Sequence, residues 1–202
     1  MLLYPAQVAE VLAPIAEYPE IQFSLKMRLG WENASECMVL VELLNAIRLS
    51  RIALHARTGK QQYKGHPDLE AFQGFYELCQ HPLYYNGGIE SLSDIRQILI
   101  RFPLLKGVFI GRGLLSSPFL AKEFKGNETF LPEQRMSIYF AFHEELFSAY
   151  SQVLQGETQL LVKMKTLWEY FLPETDRKLL KRIKKSTRLQ QYTESVKAIF
   201  TS

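Results

Sequence analysis

The sequence predicts an α/β fold in residues 1–128, followed by an all-helical region in residues 129–202. In the first region, four short strand-like segments alternate with segments of helical periodicity, the pattern of a parallel sheet covered by helices. The four strands are expected at residues 21–29, 51–57, 83–86 and 107–111. A Gly-Asn-Glu linker at residues 126–128 separates the two regions, and no strand pattern follows it. We therefore expect two domains.

The first helix is predicted over residues 5–16, because a proline suits its start and apolar residues repeat at helical spacing. In the strand at residues 21–29, Lys26 alternates with apolar residues and shares a face with Arg28. A lysine on an exposed strand face is most often a solvated charge, but a parallel strand flanked by helices has no exposed face. We therefore expect Lys26 to point into the interior, toward a ligand.

The strand at residues 51–57 places His55 and Arg57 on one face. Their alternation matches that of Lys26, so we expect both near the lysine ammonium group, at the carboxyl ends of the strands. His55 is equally compatible with an ordinary buried histidine. The loop over residues 58–67 is long for a strand-to-helix connection, and such loops commonly carry function.

The last two strands each end in a glycine turn, Asn86-Gly87-Gly88 and Gly111-Arg112-Gly113. A helix predicted over residues 91–102 joins these strands, so both turns lie on one edge of a parallel sheet. Exposed backbone N–H groups favour an anion there, and two such turns after the last strands of a (β/α)8 TIM barrel form its usual phosphate site. Each turn alone is equally compatible with a simple tight turn. The pair, with the fixed charge of Arg112, favours phosphate binding by the carboxyl-terminal half of a TIM barrel.

The connecting helices follow from the same periodicity. One helix is predicted to begin after Asp68, its capping residue. The others are predicted at residues 35–49, 114–124, 132–154, 159–172, 174–185 and 187–200. Between residues 163 and 188, nine Lys or Arg stand against three acidic residues, an excess that favours a polyanionic partner. Around residues 177–184, leucines and cations alternate to give one apolar and one cationic helix face. The cationic face is suited to binding RNA phosphates, but it is also compatible with an ordinary solvated helix face.

Composition narrows the class of protein. The 202 residues are 47% hydrophobic and 22% charged, as in an ordinary globular protein, and the net charge of +3 decides nothing by itself. Cys37 and Cys79 fall in helical patterns and are expected to be buried free thiols. No Cys/His spacing predicts a metal site, and neither a signal peptide nor a membrane span is expected, so the cytoplasm is the predicted location.

Several motifs together resemble a known family. They are Lys26-Met27-Arg28-Leu29-Gly30-Trp31, His55-Ala56-Arg57-Thr58 with Tyr63 and Gly65, Asn86-Gly87-Gly88-Ile89, Ile110-Gly111-Arg112-Gly113 with Pro118, Gly156-Glu157-Thr158, and Lys163-Met164-Lys165-Thr166-Leu167-Trp168. In order and spacing they resemble the carboxyl-terminal two-thirds of bacterial tRNA-dihydrouridine synthases. These are FMN-dependent reductases that saturate the C5–C6 bond of uridines in tRNA.

The resemblance implies a role for each motif. Lys26 would contact the flavin ring, and His55 and Arg57 would line the flavin and substrate pocket. The FMN phosphate would be held by Asn86, Gly87, Gly88, Gly111 and Arg112. Together with the charge pattern, this predicts that tRNA is bound by Arg28, Lys60, Lys163, Lys165, Arg177, Lys181 and Lys184. In the family's reaction NAD(P)H reduces FMN, hydride passes to C6 of an extruded uracil, and a loop cysteine protonates C5.

The sequence also departs from the family pattern. A complete barrel needs eight strands and roughly 250 residues, whereas four strands are predicted here. The family's first half, with its proton-donor cysteine, has no counterpart, and Cys37 and Cys79 lie in outer helices. No catalytic residue is therefore assigned, and we expect a half-barrel with two exposed strand edges and an apolar inner face.

Three interpretations remain open. In the first, the chain is a truncated FMN-dependent tRNA-dihydrouridine synthase, either a fragment of a longer gene product or one that works with a separate amino-terminal half. In the second, it is a catalytically inactive flavin- or RNA-binding fragment. In the third, two copies pair to rebuild an eight-stranded barrel.

Overall fold

The computed structural model describes residues 3–126 and 128–201, which form two compact units. The first unit runs to Ile89 and includes Ser93–Ile110, and the second contains Glu90–Leu92 and the chain from Gly111 onward. Asn127, in the predicted linker, lies outside the described residues.

The first unit alternates helices and strands. In chain order it contains α1 (Pro5–Leu12), a short 3-10 helix (Ala13–Glu17), β1 (Ser24–Gly30), α2 (Glu36–Asn45), β2 (Arg51–Thr58), α3 (Leu69–Leu78), β3 (Leu83–Asn86), α4 (Leu92–Arg101) and β4 (Gly107–Phe109). The strands form one sheet in the order β1-β2-β3-β4, and each neighbouring pair is parallel. The predicted α/β fold, with four parallel strands, is confirmed.

One face of the sheet is covered by helices. Met27, Leu54 and Tyr85 are buried on this outer face, and the ring of Phe72 from α3 meets the Tyr85 ring edge-on at 5.0 Å. The start of α3 is fixed by Asp68, whose carboxylate accepts a hydrogen bond from the backbone N–H of Ala71 at 2.9 Å, as predicted.

The opposite, inner face of the sheet is polar and aromatic, and its first strand is open to solvent. The side chains that share this face by register are Ser24, Lys26, Arg28, Arg51, Ala53, His55, Tyr84, Asn86 and Phe109. The prediction that a parallel strand offers Lys26 no exposed face was wrong, because Lys26 is exposed. Four strands do not close on themselves, so β1 has helices on one side only. The expectation of an apolar inner face was also wrong.

The second unit is helical and has its own core. It contains α5 (Arg112–Ser116), α6 (Leu120–Gly126), α7 (Pro132–Val153), α8 (Glu157–Leu167), α9 (Arg177–Lys185) and α10 (Leu189–Phe200). The helix predicted at residues 114–124 is thus two helices, since Pro118 lies between them and cannot continue the first.

The division between the units differs from the predicted boundary near residue 128. Phe119, which lies between α5 and α6, is buried in the helical core, where its ring meets the Tyr139 ring at 5.4 Å. The chain therefore joins the helical unit from Gly111 onward. The sequence alone could not show this, because α5 and α6 also fit the strand-helix alternation of a barrel.

Both cysteines are free thiols. Cys37 is fully buried in α2, and burial raises the pKa of its thiol to about 11. Cys79 is half-buried and directly follows α3 rather than lying within it. Among the described residues, no helix is both long and apolar enough to cross a membrane.

Candidate functional site

The carboxyl ends of the four strands bring several predicted residues into one row. The register pairs Arg28 with His55, His55 with Asn86, and Asn86 with Phe109. Lys26 lies one step earlier, beside Ala53. The predicted alternation is therefore right, but Arg28 rather than Lys26 is the direct neighbour of His55. Alternation along one strand shows which face of the sheet each side chain takes. It does not show which residues of two neighbouring strands lie side by side.

Arg28 holds the loop that follows β2. Its guanidinium donates hydrogen bonds to the carbonyl oxygens of Thr58 at 2.7 Å and Gln62 at 3.1 Å. The same group lies 5.8 Å from the centre of the Tyr63 ring, a cation–π contact. Arg28 was predicted to bind RNA, but its visible contacts are those of a residue that positions this loop.

His55 and Arg57 are both buried beneath the same loop. The His55 ring centre is 6.4 Å from that of Tyr63. Arg57 donates to the carbonyl oxygen of Gly65 at 2.9 Å. The guanidinium groups of Arg28 and Arg57 therefore hold the loop over residues 59–67 against the inner face of the sheet. The loop covers one side of the strand ends.

The turn after β3 requires glycine for reasons of the chain itself. Gly88 has a φ of +61°, and a Cβ added there would lie 3.0 Å from Cγ of Pro67. A Cβ at Gly87, where φ is +139°, would lie 3.3 Å from Cδ2 of His55. Backbone without side chains can also approach an anion closely, so the turn fits a phosphate.

Asn86 links the two last strands. Its side-chain amide donates to the carbonyl oxygen of Phe109 at 2.8 Å, which ties the carboxyl end of β3 to that of β4. This contact holds the ends of the two strands together.

Gly111 and Arg112 follow β4 in the chain but belong to the second unit. A Cβ at Gly111 would meet no atom within 4 Å. The Arg112 guanidinium lies 5.8 Å from the centre of the Tyr170 ring. Their role beside Gly87 and Gly88 stays a prediction.

The inner face of the sheet carries positively charged side chains. Lys26, Arg28, Arg51 and Arg57 lie on it, and the described strands carry no carboxylate on that face. Lys26, Arg28 and Arg51 form no ion pair with a carboxylate of the described residues, and such cations attract an anion, so the electrostatics agree with the turn geometry.

Helix α9 is the most basic surface of the second unit. Six of its nine residues are Lys or Arg, and none is acidic. Four of these cations line a groove of about 420 Å³ between α9 and α10, together with Gln191 and Glu194. They are Lys178, Lys181, Arg182 and Lys185.

The predicted RNA-binding set overlaps this groove only in part. Arg177, Lys181 and Lys184 are exposed, but only Lys181 lines the groove. Lys178 was predicted only as part of the cationic helix face, and Arg182 and Lys185 were missed, although the spacing of these three with Lys181 places all four on one side of the helix.

The remaining predicted RNA contacts lie outside the groove. Lys163 is exposed on α8. Lys165 donates to the carbonyl oxygen of Ser186 at 2.7 Å, at the end of α9, where a cation stabilises the helix terminus. Lys60 forms an ion pair with Glu32. These contacts give Lys165 and Lys60 partners within the protein.

Comparison with known sequences decides the family. The profile described as "Dihydrouridine synthase (Dus)" matches residues 1–201. The chain belongs to the dihydrouridine synthase family.

Individual relatives agree with this family. The chain is 35% identical over 103 residues to a "Probable tRNA-dihydrouridine synthase" of Rhizobium leguminosarum, covering 50% of this chain and 32% of that protein. It is 34% identical over 128 residues to a protein of the same name from Aquifex aeolicus, covering 62% and 40%. For "tRNA-dihydrouridine synthase B" of Vibrio parahaemolyticus, identity is 26% over 124 residues, covering 61% and 38%. The match thus spans well under half the length of these dihydrouridine synthases.

One feature of this dihydrouridine synthase family member was not visible in its sequence. His143, Trp168 and Tyr192 form a buried hydrogen-bonded cluster in the helical unit. A single histidine in a helical pattern gives no sign of a partner 49 positions away, so only the fold reveals it.

Proposed function

We propose that this chain supplies the FMN-phosphate site and the tRNA-binding surface of an FMN-dependent tRNA-dihydrouridine synthase. The observation that carries the proposal is the row formed by Arg28, His55 and Asn86, beside a glycine turn at the carboxyl edge of a parallel sheet. Ligands of parallel α/β sheets bind at this edge. A tRNA substrate also implies a cytoplasmic location.

The residues of the first unit fit a phosphorylated cofactor. No Cβ fills the turn at Gly87 and Gly88, so its backbone can approach an anion closely, and Lys26, Arg28 and Arg51 on the inner face form no ion pair with a carboxylate of the described residues. The proposed cofactor contacts are Lys26, His55, Arg57, Asn86, Gly87, Gly88, Gly111 and Arg112. Bound FMN would supply hydride chemistry, with NAD(P)H as the reductant, while this chain positions the cofactor and balances its charge.

The proposal assigns no proton donor within this chain. Cys37 is buried in α2 on the outer side of the sheet, and burial raises its thiol pKa to about 11, so it neither reaches a substrate nor donates readily. Cys79 follows α3, on the same side. We propose that uridine reduction needs further barrel strands that carry the donor.

Cofactor binding tests this proposal directly. FMN and riboflavin, which lacks the phosphate, would be titrated into the purified chain and followed by flavin fluorescence. We expect FMN to bind at least tenfold more tightly than riboflavin, and Lys26→Ala to weaken FMN binding. Arg96→Ala, which removes an exposed cation on α4, is the matched control and should bind normally. Equal binding of the two flavins, or no binding of FMN, would contradict a phosphate site.

The basic face of α9 favours a second candidate, an RNA-binding module without catalysis. If about six phosphates are neutralised, the logarithm of the binding constant for tRNA should fall with the logarithm of salt concentration at a slope of about −4 to −5. A flat response would exclude both candidates as tRNA binders. Salt-dependent binding of tRNA without any binding of FMN would favour the module.

A further inference from the structure

The helical unit contains a pocket that the proposed function does not use. It has a volume of about 630 Å³, within the range of pockets that bind small molecules. All of its lining residues belong to the second unit. They come mainly from the end of α5, the first turns of α7, the start of α9, the end of α10 and the turn over residues 172–176. The chemistry of this lining indicates which ligand fits.

Most of the pocket wall is apolar. Phe119 and Tyr139 line it and are buried in the helical core, where their rings meet at 5.4 Å. Met136, Leu172 and Leu179 add partly buried aliphatic side chains. Such a wall favours a ligand with a hydrocarbon body, because binding removes apolar surface of both the ligand and the pocket from water.

The strongest hydrogen-bond donors of the pocket already have partners within the protein. The Arg135 guanidinium is paired with the buried carboxylate of Glu123 at 2.7 Å, and its Nε donates to the carbonyl oxygen of Phe130 at 3.0 Å. Tyr139 donates its hydroxyl proton to the carbonyl oxygen of Ser116. Arg135 is the only cation among the described lining residues, so the pocket offers an anion no unpaired positive charge.

The acceptors of the pocket are less occupied. The Glu174 carboxylate forms no ion pair or hydrogen bond with the described residues, and the half-buried hydroxyl groups of Ser117 and Thr175 form no hydrogen bond with them. Burial raises the pKa of the Tyr139 hydroxyl group, Arg135 opposes this, and the negative charge of Glu174 adds to it. The charge of Glu174 therefore acts on the pocket wall.

The charge of the pocket wall is negative. Glu90 and Asp176 also line it, so three carboxylates stand against the guanidinium of Arg135, which is already paired. The Asp176 carboxylate accepts hydrogen bonds from two backbone N–H groups of α9, at 2.8 and 3.2 Å, and so offsets the positive end of that helix. Since the whole chain has a net charge of +3, the negative pocket attracts cations locally, against the overall charge.

We propose that this pocket binds an aliphatic polyamine, whose hydrocarbon chain lies against the apolar wall and whose ammonium groups pair with the carboxylates. A primary ammonium group brings three donors to carboxylate and hydroxyl oxygens. A lysine or arginine side chain of another protein would bring one positive charge to three carboxylates. A metal ion would leave the apolar wall without a contact, and no group of three or more His, Cys, Asp or Glu side chains among the described residues is placed to hold one.

Isothermal titration calorimetry of the whole chain with spermidine tests the proposal at physiological ionic strength. We expect saturable binding at one site per chain. Glu174→Gln should weaken it by about fivefold, the upper range for a partly exposed ion pair. This variant should keep the melting temperature of the parent, because the Glu174 carboxylate has no partner among the described residues. The matched control is Glu169→Gln, which removes an exposed carboxylate outside the pocket and should change the affinity less than twofold.

Two further ligands separate charge from shape. At the same ionic strength, Mg²⁺ should not displace spermidine, because it has no hydrocarbon chain, and arginine amide should bind more weakly than spermidine. No binding of spermidine, equal weakening by the two variants, or displacement by Mg²⁺ would overturn the proposal. Tighter binding of arginine amide than of spermidine would also overturn it and would assign the pocket to a protein side chain. None of these readouts uses FMN or tRNA, so failure of the proposed function is recognised separately.

Discussion

The hydroxyl group of Tyr192 lies 2.7 Å from Nε2 of His143 in the core of the helical unit. The indole N–H of Trp168 donates to the same hydroxyl oxygen at 2.9 Å, and Nδ1 of His143 lies 3.1 Å from the carboxylate of Glu144. These contacts are all satisfied when His143 is neutral, donates from Nδ1 to Glu144, and accepts the Tyr192 proton at Nε2. If His143 were protonated, its Nε2–H would point at the Tyr192 hydroxyl group as a donor, and the hydroxyl group could no longer donate its own proton to that nitrogen.

The first prediction concerns pH. Burial lowers the pKa of His143, and the neighbouring carboxylate of Glu144 offsets this only in part. The folded protein therefore binds fewer protons than the unfolded chain, so stability is full above the usual histidine pKa of 6.5 and falls as pH drops below it. Urea midpoints between about pH 5 and 8 would show this, read by Trp168 fluorescence in a Trp31→Phe background. His143→Gln should flatten the curve, and an equal slope in both proteins would contradict the assignment.

The second prediction removes the hydroxyl group. Tyr192→Phe leaves the Trp168 N–H and the His143 ring buried without this partner, which should lower the free energy of unfolding by about 1–3 kcal/mol. Tyr150→Phe is the control, because its hydroxyl has no hydrogen-bond partner among the described residues. Denaturant unfolding would measure both variants. A loss of equal size in the two would mean that the cluster adds nothing specific.

The sequence was informative where one segment determines its own structure. Alternation along residues 21–29 predicted β1, and Asp68 predicted the start of α3, because both signals are local. The neighbour of His55 depended on the register between two strands, which no single segment encodes. The exposure of Lys26 depended on how many strands are present to cover it.

The same distinction holds in the helical unit. The excess of cations near α9 was readable from composition, but the groove depends on how α10 packs beside it. Lys165 looked like an RNA contact by its charge, yet it caps the end of α9 through Ser186. Phe119 lies in the helical core for a similar reason, since contacts with Tyr139 rather than local sequence decide its unit.

The third prediction compares two glycines of the proposed phosphate site. Gly88→Ala places a Cβ at a φ of +61° and 3.0 Å from Pro67, and left-handed backbone alone costs a side chain about 1–2 kcal/mol. Its melting temperature should therefore fall. Gly111→Ala meets no atom within 4 Å, so its melting temperature should stay within a degree or so of the parent. If Gly111 approaches a phosphate, FMN binding by this second variant should nevertheless weaken severalfold. Unchanged FMN binding would remove Gly111 from the site.

The fourth prediction concerns the loop fastened by Arg28. Arg28→Lys keeps the charge but moves the donor, because the lysine ammonium lies one bond nearer the backbone than Nη1 of Arg28, which donates to the carbonyl oxygens of both Thr58 and Gln62. Amide hydrogen exchange in residues 59–67 should become faster, while exchange in β2 and β3 stays slow. Arg51→Lys is the matched control on the same face, since Arg51 makes no hydrogen bond to this loop. Faster exchange in both variants, or in neither, would show that Arg28 does not position the loop.

The fifth prediction distinguishes the two basic faces of α9. Arg182→Gln with Lys185→Gln removes two cations from the groove, and Arg177→Gln with Lys184→Gln removes two from outside it. If tRNA phosphates bind in the groove, the first pair should reduce the magnitude of the salt slope by about 1.4 to 1.8, and the second pair should change it much less. Filter binding of tRNA over a range of salt concentrations would measure both slopes. Because the net charge removed is identical, equal slopes would mean that RNA senses only the overall charge of α9. A larger loss for Arg177 and Lys184 would place the contact on the face that the sequence alone predicted.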